Sequence, residues 1–344
     1  MKLLVTGGAG FIGSHFIHFW LSRHPQDQIV NLDCLTYAGS RSRLADVEGD
    51  HRYAFIEGDI CEPQIVEQAM SGCETVVHFA AESHVDRSIT DAAPFIRTNV
   101  EGTSVLLQQA QRQGIQRFIQ ISTDEVYGPV LDGAVDEQAP LSPRSPYAAS
   151  KAAGDLLAQA FHKTYRVPVI VVRPTNIYGP GQFPEKFIPL SITNATEGLP
   201  IPIYGDGRQR RAWLFAADLC EALDVVIRRG AIGEIYNVAG GMEQANLETA
   251  EAILASLGRS QALLELVTDR PGHDRRYAMD DAKLRALGWR PQVSFEQGLQ
   301  ETIAWYRAHT DWWRPLVQKL REDPYHWLNR AARSSPPQAS GAVL

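Results

Sequence analysis

Two carboxylates stand side by side at Asp124 and Glu125, with a phenol at Tyr147 and an ammonium at Lys151. Tyr147 and Lys151 are four positions apart, which on a helix places them on one face. A free tyrosine ionises near a pKa of about 10 and is a poor base at neutral pH. A neighbouring lysine cation favours the phenolate, which can take a hydroxyl proton while hydride leaves the same carbon. Adjacent carboxylates push their pKa values apart, so one serves as acid and the other as base at one pH. Plain alcohol oxidation needs no such pair. A β-elimination does, because a hydroxyl departs with a proton as a carbon-bound proton is removed. Thr123, with Ser122 before it, adds hydroxyls at the same place.

Hydride chemistry needs an acceptor, and the N-terminal end is written for one. Thr6-Gly7-Gly8-Ala9-Gly10-Phe11-Ile12-Gly13 follows a first strand and opens a first helix. Gly7 makes the tight turn, Gly10 admits backbone close to a pyrophosphate, and Gly13 lets helix pack on strand. The pyrophosphate sits on N–H groups at the helix start. Asp33, 26 residues after Gly7, ends the next strand. A carboxylate there binds ribose hydroxyls and repels a 2′-phosphate, so the expected cofactor is NAD. Asp59 and Ile60, after the third strand, belong beside its adenine.

The elements that position these groups alternate. Lys2–Thr6, Ile29–Asp33, Tyr53–Glu57, Thr75–Phe79, Phe118–Ser122 and Val167–Arg173 read as strands, nearly continuous in hydrophobicity. Such strands are covered on both faces, as in parallel sheets. Helical stretches such as Ser14–Arg23 and Ser104–Gln113 lie between them, so the expected fold class is α/β, a Rossmann-type doubly wound parallel sheet. Residues 1–173 form the expected NAD-binding domain, with a later contribution from about 215–240. Pro174 to Gly207 is rich in Pro and Gly and reads as long shaped loops. Helices are expected at Ala216–Arg229 and Leu247–Leu257, and a strand at Glu234–Ala239. Residues 174–214 and 241–330 are the expected smaller α/β substrate-binding domain, and 331–344 a disordered tail rich in Ser, Pro and Ala.

With 344 residues, 44% of them hydrophobic, the chain can bury a real core. A net charge of -7 argues against a nucleic-acid or anionic-membrane partner. No two of Cys34, Cys61, Cys73 and Cys220 have CxxC spacing, so reduced thiols and no metal are expected. His15 and His18 share a helix face without a carboxylate to complete a metal site. No apolar run approaches spanning length and no signal-peptide core forms, which reads as soluble and cytoplasmic.

Together these residues resemble the dTDP-glucose 4,6-dehydratase family of extended short-chain dehydrogenase/reductases. The resemblance runs from Lys2 to about Trp313. It rests on Thr6–Ser14, Leu35–Gly39, Ala80–Ser88, Ser122–Gly128, Ser145–Lys151, Phe183–Lys186 and Asp269–Tyr277. It implies that Tyr147 takes the proton of the sugar 4-hydroxyl as C4 is oxidised, and that Glu125 takes the C5 proton. Asp124 protonates the departing 6-hydroxyl, hydride returns to C6, and Thr123 bonds the sugar. It also implies cofactor contacts at Cys34, Leu35, Thr36, Phe79, Ala80, Ala81, Ser83 and Thr98, with Ser83 also touching the sugar. The nucleotide diphosphate falls to Asn176, to Lys186, Phe187, Ile188 and Pro189, to Pro202, Ile203 and Tyr204, and to Arg211 and Asn246. Asp269, Arg270, Pro271, Gly272 and His273 complete that set, and a homodimer is implied. The chain departs from the family pattern at Pro174, Ile177, Ala212 and Leu219.

Overall fold

The computed structural model describes residues 1–322, so the expected tail at 331–344 lies outside the described residues. Seven strands make one parallel sheet. They are β1 (Lys2–Thr6), β2 (Gln28–Asp33), β3 (Tyr53–Glu57), β4 (Thr75–His78), β5 (Arg117–Ile121), β6 (Val169–Pro174) and β10 (Ile235–Val238). Their order is β10-β6-β5-β4-β1-β2-β3. The winding reverses between β1 and β4, which opens a crevice at the carboxyl ends of those two strands.

The continuous hydrophobicity has a simple cause. Leu3, Val5, Val77, Ile119, Ile170 and Val172 point to one face and join Phe16, Trp20, Leu223 and Val226 of helices Phe11–Arg23 and Ala216–Arg229. Leu4, Val76, Phe118, Val169 and Val171 point to the other, against helices Pro63–Met70, Thr103–Gln113 and Pro146–Tyr165. Each large apolar side chain buried this way contributes about 1.5–3 kcal/mol.

The stretch after β6 is more regular than its Pro and Gly content suggests. It holds β7 (Asn176–Tyr178), helix Phe187–Glu197 and β8 (Ile201–Tyr204). Pro189 stands in the first helical turn, where its missing N–H has no intrahelical partner to lose. β9 (Arg210–Phe215) and β11 (Met242–Ala245) form a three-stranded sheet with β7, and β12 (Leu264–Val267) pairs with β8. Tyr178, Trp213, Phe215, Phe295, Tyr306 and Trp313 make a separate aromatic core here. Among the described residues, no helix is long and apolar enough to cross a membrane.

Candidate active site

The chain leaves β1 through Gly7, whose φ of 71° lies in the left-handed region. A Cβ on Gly7 would stand 2.6 Å from the Ala80 nitrogen, and one on Gly13 2.4 Å from the Gly7 carbonyl oxygen. Only glycine fits either place. Gly10, Phe11, Ile12 and Gly13 therefore line the cleft where the first helix begins. Asp33 closes the cradle: its carboxylate accepts N–H bonds from Ala9 at 2.9 Å and Leu35 at 2.8 Å. Burial raises its pKa, and those two N–H groups draw it back. Glycines against a strand end, with a carboxylate at the tip of the next strand, are a donor set that fits a dinucleotide.

The wall continues through Cys34, Thr36, Asp59, Ile60, Phe79, Ala80, Ala81, Ser83 and Thr98. Asp59 also pairs with Arg97 at 2.5 Å and accepts the Cys61 N–H. Leu35, at a left-handed φ of 50°, is off the wall and spends its N–H on Asp33. Both this fold and this cleft, about 1130 Å³ in volume, bring the glycine cradle and the chemical groups into one space.

Past β5, Thr123 caps a short turn, Asp124–Tyr127, by accepting the Glu125 N–H on its hydroxyl at 3.3 Å. That hydroxyl donates to Asp124 Oδ1 at 3.1 Å. The two carboxylates then part. Glu125 lines the cleft, and Asp124 is only 2% exposed behind it, off the lining. Burial, then the charge of Glu125, pushes the Asp124 carboxyl up to about 7. Burial raises Glu125 too, but Arg270, Arg211 and Lys186 oppose it with positive charge. One group is poised as an acid and the other is favoured as a base.

Helix Pro146–Tyr165 starts on a Ser145 cap, whose hydroxyl accepts the Ala148 N–H at 3.1 Å. It presents Tyr147 to the cleft. Burial, then Glu125, raises the phenol's pKa, and the Thr123 hydroxyl opposes them. Lys151 sits deeper: it is buried, off the lining, and donates from Nζ to the Ile121 carbonyl at 2.7 Å. Burial lowers its pKa to about 8.

At the far end, Asn176, Lys186, Phe187, Pro202, Tyr204, Arg211, Asn246, Arg270 and His273 line the cleft. Ile188 and Ile203 do not, since each is turned into an apolar core. Pro189, Asp269, Pro271 and Gly272 also stay off the lining. Asp269 instead shapes its loop, pairing with His273 at 2.6 Å and Gln209 at 3.0 Å. Gly272 has φ 67°, and a Cβ there would meet the Arg144 carbonyl oxygen at 2.9 Å. Arg211 is buried, bonded to the Arg210 and Asp274 carbonyls and stacked over Tyr277.

The residues alternate along β9. Arg211 and Trp213 face the cleft, while Arg210 and Ala212 face a separate hollow beside Gly240 and Gly241. The departure at Ala212 is therefore away from the cleft, and Leu219 is fully buried in the core. Pro174 and Ile177 do line it. Trp213 pairs in register with Asn176 of β7. Its indole Nε1 and the Asn176 Oδ1 are both buried without a hydrogen-bond partner among the described residues.

Residues 4–302 match the family model described as GDP-mannose 4,6 dehydratase. A curated dTDP-glucose 4,6-dehydratase of Streptomyces niveus is 50% identical over 321 residues, 92% of this chain and 96% of its own. The chain belongs to the dTDP-glucose 4,6-dehydratase family. A solved dTDP-glucose 4,6-dehydratase of this family, DesIV from Streptomyces venezuelae with NAD and TYD bound, superimposes with a TM-score of 0.90. The two are 49% identical, and the match covers 92% of this chain and 100% of that one. The UDP-glucuronic acid 4-epimerase of Bacillus cereus has the same fold at a TM-score of 0.85 but only 29% identity, covering 90% and 99%. The fold that carries the carboxylate turn and the Tyr147 helix is thus shared with a solved dTDP-glucose 4,6-dehydratase.

Proposed function

We propose that this chain converts dTDP-glucose to dTDP-4-keto-6-deoxyglucose, a hydro-lyase reaction run as C4 oxidation, loss of water across C5–C6 and reduction at C6. The observation that carries this reading is the split carboxylate pair, with Asp124 held up to about 7 behind a Glu125 ringed by cations. The glycine cradle and Asp33 would hold NAD, which would supply the hydride acceptor for C4 oxidation and the hydride donor for reduction at C6. Tyr147 takes the 4-hydroxyl proton while Thr123 fixes the sugar. The resulting ketone acidifies C5, Glu125 removes that proton and Asp124 protonates the departing 6-hydroxyl, and as hydride returns to C6 a proton returns to C5. Lys151 supplies positive charge beneath Tyr147.

The diphosphate rests on Arg211, Asn176 and Arg270, where a guanidinium fork meets phosphate oxygens. Trp213, next to Asn176, adds an N–H donor to that set. Residues 1–173 with about 215–240 serve the cofactor, and 174–214 with 241–330 the sugar nucleotide. The enzyme acts as a cytoplasmic homodimer. Ile96 and Leu156, each 57% exposed on neighbouring helices, support a surface that a second copy covers.

Incubating the purified protein with dTDP-glucose and no added NAD tests the assignment. Accumulation of the 4-keto-6-deoxy product, seen by its absorbance in alkali, is the expected result. Absence of product even with NAD added overturns it.

A further inference from the structure

Behind the cleft lies a chain of desolvated polar groups that the steps above do not use. Arg173 on β6 is 1% exposed, Asp155 on helix Pro146–Tyr165 is 0%, and Asn237 on β10 is 0%. Arg173 donates from Nε to Asp155 Oδ2 at 2.9 Å and from Nη1 to the Tyr127 hydroxyl at 2.7 Å. The Tyr127 hydroxyl in turn donates to Asn237 Oδ1 at 2.8 Å. The guanidinium also lies 4.8 Å over the Tyr127 ring.

The ends of this chain matter. Tyr127 closes the turn that begins at Asp124, two residues past Glu125. Asp155 is one helical turn beyond Lys151, which is one turn beyond Tyr147. The network therefore ties the carboxylate turn to the helix that carries the phenol and the ammonium. A buried ion pair is a poor source of stability, because desolvating two charges offsets most of their attraction, and apolar packing of the same volume does as well.

We propose that Asp155, Arg173 and Tyr127 form a positioning unit that fixes the Asp124–Glu125 turn against the Tyr147 helix and keeps Lys151 charged. This rests on the dehydratase reading above. Burial drags the Lys151 ammonium down to about 8, and the Asp155 carboxylate opposes that fall. Burial raises Asp155 itself, and Arg173 is foremost in holding it ionised. The other groups around Lys151 are His78 of β4, kept neutral by burial that lowers it to about 3, and Tyr147 on its own helix. Asp155 also weighs slightly against the Tyr147 phenolate. Loss of Asp155 therefore deprotonates Lys151 at a lower pH, and the alkaline limb of the activity profile moves towards acid.

The test uses wild type, the double variant Asp155→Asn/Arg173→Met, which removes both charges of the buried ion pair together, and Tyr127→Phe, with dTDP-glucose as substrate. Wild-type turnover is the control, and its absence would speak against the dehydratase reading, not against this one. The double variant is expected to lose at least about ten-fold in kcat with KM within about two-fold, and its alkaline limb to move down by about one pH unit. Tyr127→Phe is expected to lower kcat with the pH profile unmoved, since it releases the turn without changing a charge near Lys151. A folded double variant with the wild-type alkaline limb overturns the proposal. So does a Tyr127→Phe protein whose only change is a lower Tm, and that result stands even where the double variant does not fold.

Discussion

Glu125 and Thr123 form part of the cleft wall, and Asp124, between them in sequence, stands behind that wall and accepts the Thr123 hydroxyl at 3.1 Å. The same turn that separates them also divides their electrostatics, since Arg270 and Lys186 act on Glu125 and only Arg211 reaches both carboxylates. Glu125→Gln should leave C4 oxidation intact and stop the elimination. Turnover falls by about 10²–10⁴-fold, and reduced cofactor accumulates on the enzyme in a single-turnover absorbance experiment. Asp124→Asn should behave alike. Equal loss of both oxidation and elimination in either variant would speak against the split roles.

The acid role also fixes a pH dependence. Asp124 is protonated below about 7 and loses that proton as pH rises through this value. In the proposed mechanism the protonated form donates to the leaving hydroxyl. In the free enzyme kcat/KM should therefore begin to fall as pH rises through about 7, ahead of the steeper fall that Lys151 sets near about 8, and the Asp124→Asn variant should lack only the first of these in its residual activity.

Tyr147→Phe removes the base for the first step. With the ring retained, dTDP binding should stay within about two-fold of wild type, while kcat falls by about 10²–10⁴-fold. No reduced cofactor should appear, in contrast to Glu125→Gln, and that contrast is read in the same absorbance trace.

Gly7→Ala places a methyl group 2.6 Å from the Ala80 nitrogen at a φ of 71°. The strain is on the order of 1–3 kcal/mol. The purified variant should carry less bound NAD than wild type and melt at lower temperature, with both effects measured on one preparation.

Trp213→Phe keeps the aromatic surface and deletes only the N–H. If Nε1 bonds the diphosphate, titration with dTDP should show Kd raised by about ten-fold or more, the worth of a hydrogen bond to a charged group. Unchanged Kd would mean that the indole N–H serves no ligand.

The sheet was legible because most of its strands are buried on both faces, so Lys2–Thr6 needed no partner to be read. The second sheet was not, because β7 and β8 are short and lie among Pro and Gly. Missing β9 also hid Trp213, whose orientation follows from its two-residue spacing to Arg211 once a strand is known. The residues proposed for catalysis were legible as types at fixed spacings. That Asp124 is recessed and that Lys151 turns to the Ile121 carbonyl are tertiary facts, set by packing between β5 and the helix. Ile188 and Ile203 are expected at the ligand from their neighbours along the chain, yet the helix turns Ile188 inward and strand alternation does the same to Ile203.

The most direct test of the central claim follows the hydrogen at C4. Substrate deuterated at C4 is converted in a mixture with undeuterated substrate, and the product is examined by mass and by NMR. The account predicts a 4-keto-6-deoxy product with deuterium at C6, delivered within one substrate molecule. Deuterium returned to C4, without loss of water, would contradict it and make the enzyme an epimerase.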